Sequence, residues 1–302
     1  MRALGRFYRS RSDQRGLVLV IVLWIVTLLA VMAGAFAYSM RIETRLATSA
    51  VERARARALA EAGVAYALAW QLNPETRKLW PPNGDPRDWE FGGGRVRIQV
   101  VDAVGLISLN TADADLLKAL LAGVGVDPQD QDRLAGAIID WRDQDDRPVP
   151  FGAEKDEYRA AGLPGPKNAL FESIEELQQV LGMTKPIYQA IADKVTAFSN
   201  HYRVSAEWAP AQLLQTLGLN AQAVADYVGE RTRAANDGSP PPPVPADSDH
   251  AFFSAGRSTV YHVTVVAETG TGAAMKITAV ARVESTRPGQ TGWRWLAWRE
   301  GR

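Results

Sequence analysis

Hydrophobic and polar positions divide the chain into three regimes. From Leu17 to Tyr38 no charged side chain interrupts the sequence. A helix of about 20 apolar residues matches the hydrocarbon thickness of a bilayer, so the pattern predicts a membrane-spanning helix over 17–38. Arg41 to Leu72 continues with helix formers and meets neither Gly nor Pro before Gly63, which predicts one uninterrupted helix reaching to residue 72. The polar stretch Asn73 to Gly94, with Pro74, Pro81, Pro82, Pro86 and three successive glycines, reads as a loop. Arg95 to Asp102 then alternates polar and apolar residues, the mark of a half-buried strand.

Beyond Asp102 the period lengthens to that of helices. Asn110-Thr111-Ala112-Asp113 offers caps for a helix through Leu121, and Pro128 to Trp141 repeats Leu134, Ile138 and Ile139 on one face. Ser173 and Glu176 form a capping box for a helix over 173–181. Further helices are predicted at Pro186 to Phe198, Pro210 to Leu217 and Ala221 to Arg233. The segment 236–250, with four prolines from Pro240, is read as a linker. Strand alternation returns at Arg257 to Glu268, Ala274 to Glu284 and Trp293 to Trp298, with turns at Gly270-Thr271-Gly272 and Pro288-Gly289. The predicted class is α+β: a long N-terminal helix, an antiparallel sheet joining the early strand to the late ones, and a large all-α insertion over 108–235. The sheet domain itself is split between 73–107 and 251–302.

The first sixteen residues carry five arginines and one aspartate, a leader expected to stay in the cytoplasm while everything after Tyr38 lies outside it. Three readings fit. Ala35-Phe36-Ala37 offers a small-x-small site for a cleaved secretory signal, although the apolar run is long for one. A plain membrane anchor is the second. The third rests on Arg15-Gly16 abutting the apolar helix directly, the pattern cut by prepilin peptidase between Gly16 and Leu17 with the helix left in place. The Arg- and Glu-studded stretch with Ala54, Ala56, Ala58, Ala60 and Ala62 suits packing against similar helices.

Composition narrows the chemistry. The 302 residues carry 34 basic and 34 acidic side chains, so bulk attraction to nucleic acid is not expected. The chain has no cysteine and only three histidines, scattered without ligand spacing, which excludes disulfides, thiol catalysis and thiolate metal sites. No nucleotide loop, nucleophile elbow or zinc motif is present. A binding or structural role leads. The one candidate ligand site is acidic: seven carboxylates fall between Asp140 and Glu157 against three basic residues. Such a concentration repels itself unless solvated or neutralised by a cation. Asp143, Asp145 and Glu154 occupy positions 1, 3 and 12 of a calcium-type loop, but Arg147 and Pro148 stand where an EF-hand needs a ligand and a glycine. Asp140 and Asp143, three apart at a helix end, can point the same way. On the residues alone, a solvated acidic loop and a hard-cation site both stay open.

Several segments, in order, resemble the minor pseudopilin K of the type II secretion system. They are Arg15-Gly16 before the apolar helix, Ser108-Leu109-Asn110-Thr111-Ala112, Ala137-Ile138-Ile139-Asp140-Trp141-Arg142-Asp143-Gln144-Asp145, Gly152-Ala153-Glu154 with Tyr158, and Glu175 through Thr184. The resemblance implies a pilin-like αβ fold with a large helical insertion, no enzymatic activity, and calcium held in the helical domain by residues such as Asp140, Asp143, Asp145 and Glu154. It implies minor pseudopilins I and J as partners, with H and the major pseudopilin beyond them, prepilin peptidase as the processing enzyme, and the bacterial inner membrane as the site of anchoring. Pilin-like subunits usually carry glutamate at the fifth mature position; counted from Leu17, that position is Ile21. A carboxylate in hydrocarbon needs a partner, thought to be the amino terminus of the subunit ahead, and a filament-tip subunit has none. An apolar Ile21 suits a tip subunit, and equally an ordinary anchor.

Two other functions compete. Asn110-Thr111-Ala112, Gly123-Val124-Gly125 and Leu181-Gly182-Met183 look like helix-hairpin-helix units, which would hold DNA phosphate on hairpin amides. Asp127, Asp130 and Asp132 beside Gly125 oppose that reading. A glycosidase using paired carboxylates such as Asp140 and Glu154 is the third possibility, although nothing in the sequence places two of them across a cleft.

Overall fold

A computed structural model describes residues 13–245, 250–287 and 290–301. The chain divides into two units, one ending at Arg55 and the other beginning at Ala56. A single helix, α1 (Asp13–Leu72), supplies the described part of the first and the start of the second. In the first unit the side chains from Leu17 to Val51 are exposed, including Trp24, Phe36 and Tyr38. Among the described residues α1 is the helix long and apolar enough to cross a membrane. Gly16 and Leu17 lie within it, and Ile21 is exposed on its surface. Most of the expected leader, residues 1–12, falls outside the described residues.

In the second unit, α1 is followed by α2 (Pro74–Leu79), β1 (Arg87–Phe91), β2 (Gly94–Asp102) and β3 (Ile107–Ser108). The helical block contains α3 (Ala114–Gly123), α4 (Pro128–Arg142), α5 (Lys155–Ala160), α6 (Lys185–Ile191), β4 (Val195–Thr196), α7 (Ala211–Thr216) and α8 (Ala221–Asp237). Strands β5 (Val260–Thr269), β6 (Ala274–Arg287) and β7 (Gln290–Gly301) complete the sheet, which runs β1-β2-β5-β6-β7 and is antiparallel throughout. The early strand does pair with the late ones, because β2 lies against β5 with Val96 opposite Ala267 and Ile98 opposite Val265.

Alternation explains the packing. Val96, Ile98 and Val100 of β2, Val263, Val265 and Ala267 of β5, and Ile277, Ala279 and Ala281 of β6 bury on one face beneath Leu59, Ala60, Val64, Ala67 and Leu68 of α1. The helix approaches so closely that a Cβ on Gly63 would come within 2.8 Å of both Val96 and Val265. The helical block has a separate core built from Leu116, Leu117, Leu120, Leu121, Leu134 and Ile138 with their neighbours.

Four expectations need correction. The segment 73–94 is not one loop. Asn73 caps α2, accepting from the Glu75 N–H at 2.9 Å, and β1 pairs with β2 across the left-handed Gly92 and Gly93. Strand β1 is a sheet edge with four of its five residues exposed, so no apolar alternation marks it. The 173–181 segment is a 3-10 helix over Ile174–Gln179, although its Ser173 and Glu176 do form the capping box. The helix expected over 186–198 ends at Ile191, and β4 follows as a parallel partner of β3. Helix α8 continues to Asp237 and is stopped by the left-handed Gly238, so irregular chain begins there; residues 246–249 of the linker and the turn at Pro288-Gly289 lie outside the described residues.

Candidate metal centre

The acidic loop leaves the C-terminus of α4 and re-enters helix at α5. Gly136 of α4 lets it lie close, since a Cβ there would stand 2.7 Å from the Gly152 nitrogen. Gly152 is required in turn: its Cβ would fall 2.0 Å from Oδ2 of Asp140. The loop between them turns through Phe151, an exposed residue with φ of 66°. Its backbone is pinned by side chains, the Val149 N–H donating to Asp140 Oδ1 at 3.0 Å and the Arg147 N–H to Asp145 Oδ1 at 2.8 Å. At the far end, Glu157 accepts from the Glu154 N–H at 2.9 Å and fixes the first turn of α5. Tyr158 is buried beside Trp141, and its hydroxyl accepts from the Leu181 N–H.

This frame brings Asp143, Asp145 and Glu154 together, each offering a carboxylate oxygen within 4.8 Å of the others. Asp140 is not in that trio. It is fully buried beside it, with Oδ1 held by Val149 and Oδ2 lacking any partner. Asp143 Oδ1 and both oxygens of Glu154 are likewise buried without a hydrogen-bond partner. Burial first, then the charges of Asp140, Asp143, Asp146 and Asp145, push the Glu154 carboxyl up to about 7. Burial also raises Asp140 and Asp143. Buried carboxylate oxygens facing one another without donors are unfavourable unless a cation sits among them, and an all-oxygen set suits a hard divalent ion. The residues present therefore fit calcium.

The cations of the same stretch are turned elsewhere. Arg142 donates to the backbone oxygens of Leu109 and Ala112, tying α4 to the turn before α3. Lys155 pairs with Asp146 at 2.7 Å, which lowers the Asp146 carboxyl and takes it out of the trio. The Ser108-to-Ala112 motif is structural: Asn110 exchanges hydrogen bonds with the backbone of Phe171 and donates to Ala197, Ser108 donates to the Ser199 oxygen, and Thr111 donates to the His201 oxygen. Sequence reasoning missed the Arg142 contacts, for which there was no signal in spacing.

The turn between α3 and α4 does not offer a phosphate cradle. Between α3 and α4 the N–H groups of Val124, Gly125 and Val126 donate to Leu120, Ala122 and Leu121, and Gly123 is packed against Thr216. Amides already used inside the fold cannot hold a DNA backbone.

The segment from Gln99 to Asn200, which contains this loop, matches the family model described as type II secretion system (T2SS), protein K. Residues 99–200 are a type II secretion system protein K domain. Relatives of this chain include the putative type II secretion system protein K of Escherichia coli K12, 28% identical over 200 residues that make up 60% of this chain and 61% of that protein. Type II secretion system protein K of Klebsiella pneumoniae is 28% identical over 210 residues, 62% of this chain and 64% of its own. The matches thus span under two thirds of these curated relatives. A chain in the crystal structure of the GspK-GspI-GspJ complex from enterotoxigenic E. coli superposes with a TM-score of 0.56, at 17% identity, covering 87% of this chain and 99% of that one. The fold shared with that chain has a long helix, an antiparallel sheet and an inserted helical block.

Proposed function

We propose that this chain is a non-enzymatic minor pseudopilin of the type II secretion system, sitting at the tip of the periplasmic pseudopilus, initiating its assembly and supporting protein export across the outer membrane. The observation that carries the reading is the protein K domain set between β2 and β5 of a sheet packed beneath the long helix α1. A block of that bulk is hard to repeat in a tightly wound filament, where each copy would occupy its neighbours' space. One copy at the end avoids the clash, and Ile21 leaves no unpaired carboxylate in the membrane. The anchor is a single pass through the bacterial inner membrane with the C-terminal domain in the periplasm. Partners are the I and J pseudopilins, with H and the major pseudopilin below them, and nucleic acid is not among them. Calcium is held by Asp143, Asp145 and Glu154, with Asp140 as the buried carboxylate behind them.

Two expected results test this reading. Prepilin peptidase removes Met1 to Gly16 and leaves Leu17 as the amino terminus, which sequencing of the mature protein reads directly; a terminus at Tyr38 would point instead to a secretory signal. The second concerns α1. Alternate alanines do not share one helix face: Ala56 and Ala60 are buried on the sheet, while Ala54 and Ala58 are exposed, as are Ile42 and Leu46. Ala54→Glu and Ala58→Glu are therefore expected to weaken co-purification with the I and J pseudopilins without lowering the melting temperature. Cross-linking that found this chain repeated along the filament shaft would sink the tip assignment.

A further inference from the structure

A second site lies away from the acidic loop, where the helical block meets the first turns after α1. A cavity of about 320 Å³ opens between α2, the turn at 81–83, the turn at 205–209, α8 and the chain just past it. That is the lower end of the range in which small organic ligands bind. Four cations line it, Arg77, Lys78, Arg231 and Arg257, against the single carboxylate of Glu207. Its walls combine polar Asn83, Thr232 and Ser239 with apolar Pro74, Pro81, Pro241 and the Trp208 ring, over which the Arg257 guanidinium stacks at 5.0 Å.

Arg231 is the unusual member. It is only 4% exposed, yet its guanidinium is half used: Nη1 donates to the backbone oxygens of Ala209 at 2.6 Å and Ala206 at 3.1 Å, while Nε and Nη2 have no hydrogen-bond partner. The nearest carboxylate oxygen, on the half-exposed Asp85, stands 4.0 Å from Nη2, outside hydrogen-bond range. Nε and Nη2 form the side-on edge of the fork that grips a carboxylate through two parallel bonds. A buried cation with that edge unsatisfied is unfavourable until an anion reaches it.

We propose that this cavity is a binding site for a carboxylate carried on an apolar body, with Arg231 holding the carboxylate side-on, Arg77 and Arg257 attracting it at the rim, and the proline and tryptophan walls taking the apolar part. One planar fork suits a planar monoanion better than a phosphate, whose second charge would also meet Asp85 and Glu207. The carboxylate can come from a peptide's C-terminus or from a free organic acid.

Titration calorimetry on the full chain in lipid nanodiscs, with empty nanodiscs as blank, tests the assignment using 3-phenylpropionate, its uncharged amide, acetyl-Pro-Phe with a free C-terminus, and inorganic phosphate. At least one of the two carboxylates is expected to bind saturably, about tenfold or more tighter than the amide. Binding of only the dipeptide would identify a peptide terminus as the source, and binding of only 3-phenylpropionate a free acid. Arg231→Lys is expected to lose binding, and because that position is buried, the rim variants at half-buried Arg77 and exposed Arg257, Arg77→Gln and Arg257→Gln, give a second reading, each weakening binding about threefold to tenfold by removing one attracting charge. Asp85→Asn should leave binding unchanged or tighten it. The proposal falls if acid and amide bind alike, if phosphate binds more tightly than both carboxylates, if Asp85→Asn abolishes binding, or if neither carboxylate binds at about 10 mM.

Discussion

Calcium is expected to raise the melting temperature of the full chain, and Glu154→Ala to remove that rise. With calcium at a hundredfold excess over its dissociation constant, linkage corresponds to about 2.7 kcal/mol of added stability. The direction of the effect follows from the buried carboxylate oxygens of Asp140, Asp143 and Glu154, which a cation would neutralise. Identical melting curves in calcium and in chelator would leave the loop as a solvated acidic turn. The same carboxylates set a pH dependence for the calcium-free chain. Burial and the neighbouring aspartates hold Glu154 at about 7 in the folded state, whereas in the unfolded chain it titrates in the ordinary carboxylate range. Between those two values the folded state keeps a proton that the unfolded state has lost. The contribution of Glu154 to stability is therefore fullest below the ordinary carboxylate range and is lost as pH rises through about 7. Glu154→Gln flattens that decline. Calcium must displace the same proton, so its affinity weakens as pH drops below about 7. Melting scans with calcium and with chelator across that interval measure both effects.

The second large effect is purely steric. Gly123 ends α3 against α7, and a Cβ there would stand 2.0 Å from the Thr216 backbone oxygen. Backbone cannot move aside as a side chain can, so Gly123→Ala is expected to cost about 3 kcal/mol or more by forcing the two helices apart. Gly229→Ala supplies the contrast. Position 229 lies within α8 with nothing within 4 Å of its Cβ, and there alanine should stabilise by roughly 0.5–1 kcal/mol through helix propensity. Denaturant midpoints of the two variants should move in opposite directions, and a neutral Gly123→Ala would show that the contact between α3 and α7 is loose.

What the residues disclosed in advance was whatever recurs with a period. Val96, Ile98 and Val100 announced β2, Leu134 and Ile138 announced α4, and the returning alternation after Arg257 announced the strands that close the sheet. Strand β1 was hidden because an edge exposed on both faces has no reason to alternate. Strands β3 and β4 were hidden because a parallel pair of two residues each is defined by a partner far along the chain, Ile107 against Val195. At the acidic loop the trio was legible as acidic positions with calcium-like spacing. The division of labour among the carboxylates was not. Whether Asp140 turns to Val149 or to the trio, and whether Asp146 goes to Lys155, depends on how Gly136 and Gly152 let the loop lie on α4. The cavity around Arg231 left no trace in the sequence, since its cations come from α2, α8 and the approach to β5.

The β2–β5 ladder pairs residue 102 with residue 261, and the whole helical block is synthesised between them. During biogenesis β2 can gain β1 at once through their short hairpin, but its other edge stays open until nearly the last strands exist. The block has its own core, against which β2 adds Val101, a strand already made before the block, so it can condense first and bring the ends of β2 and β5 near each other. Closure of the sheet is then the late, slow event. A nascent chain halted before Val260 would present an unpaired β2 as a template for aggregation, which makes the interval between synthesis of the block and arrival of β5 the vulnerable period in the life of the molecule.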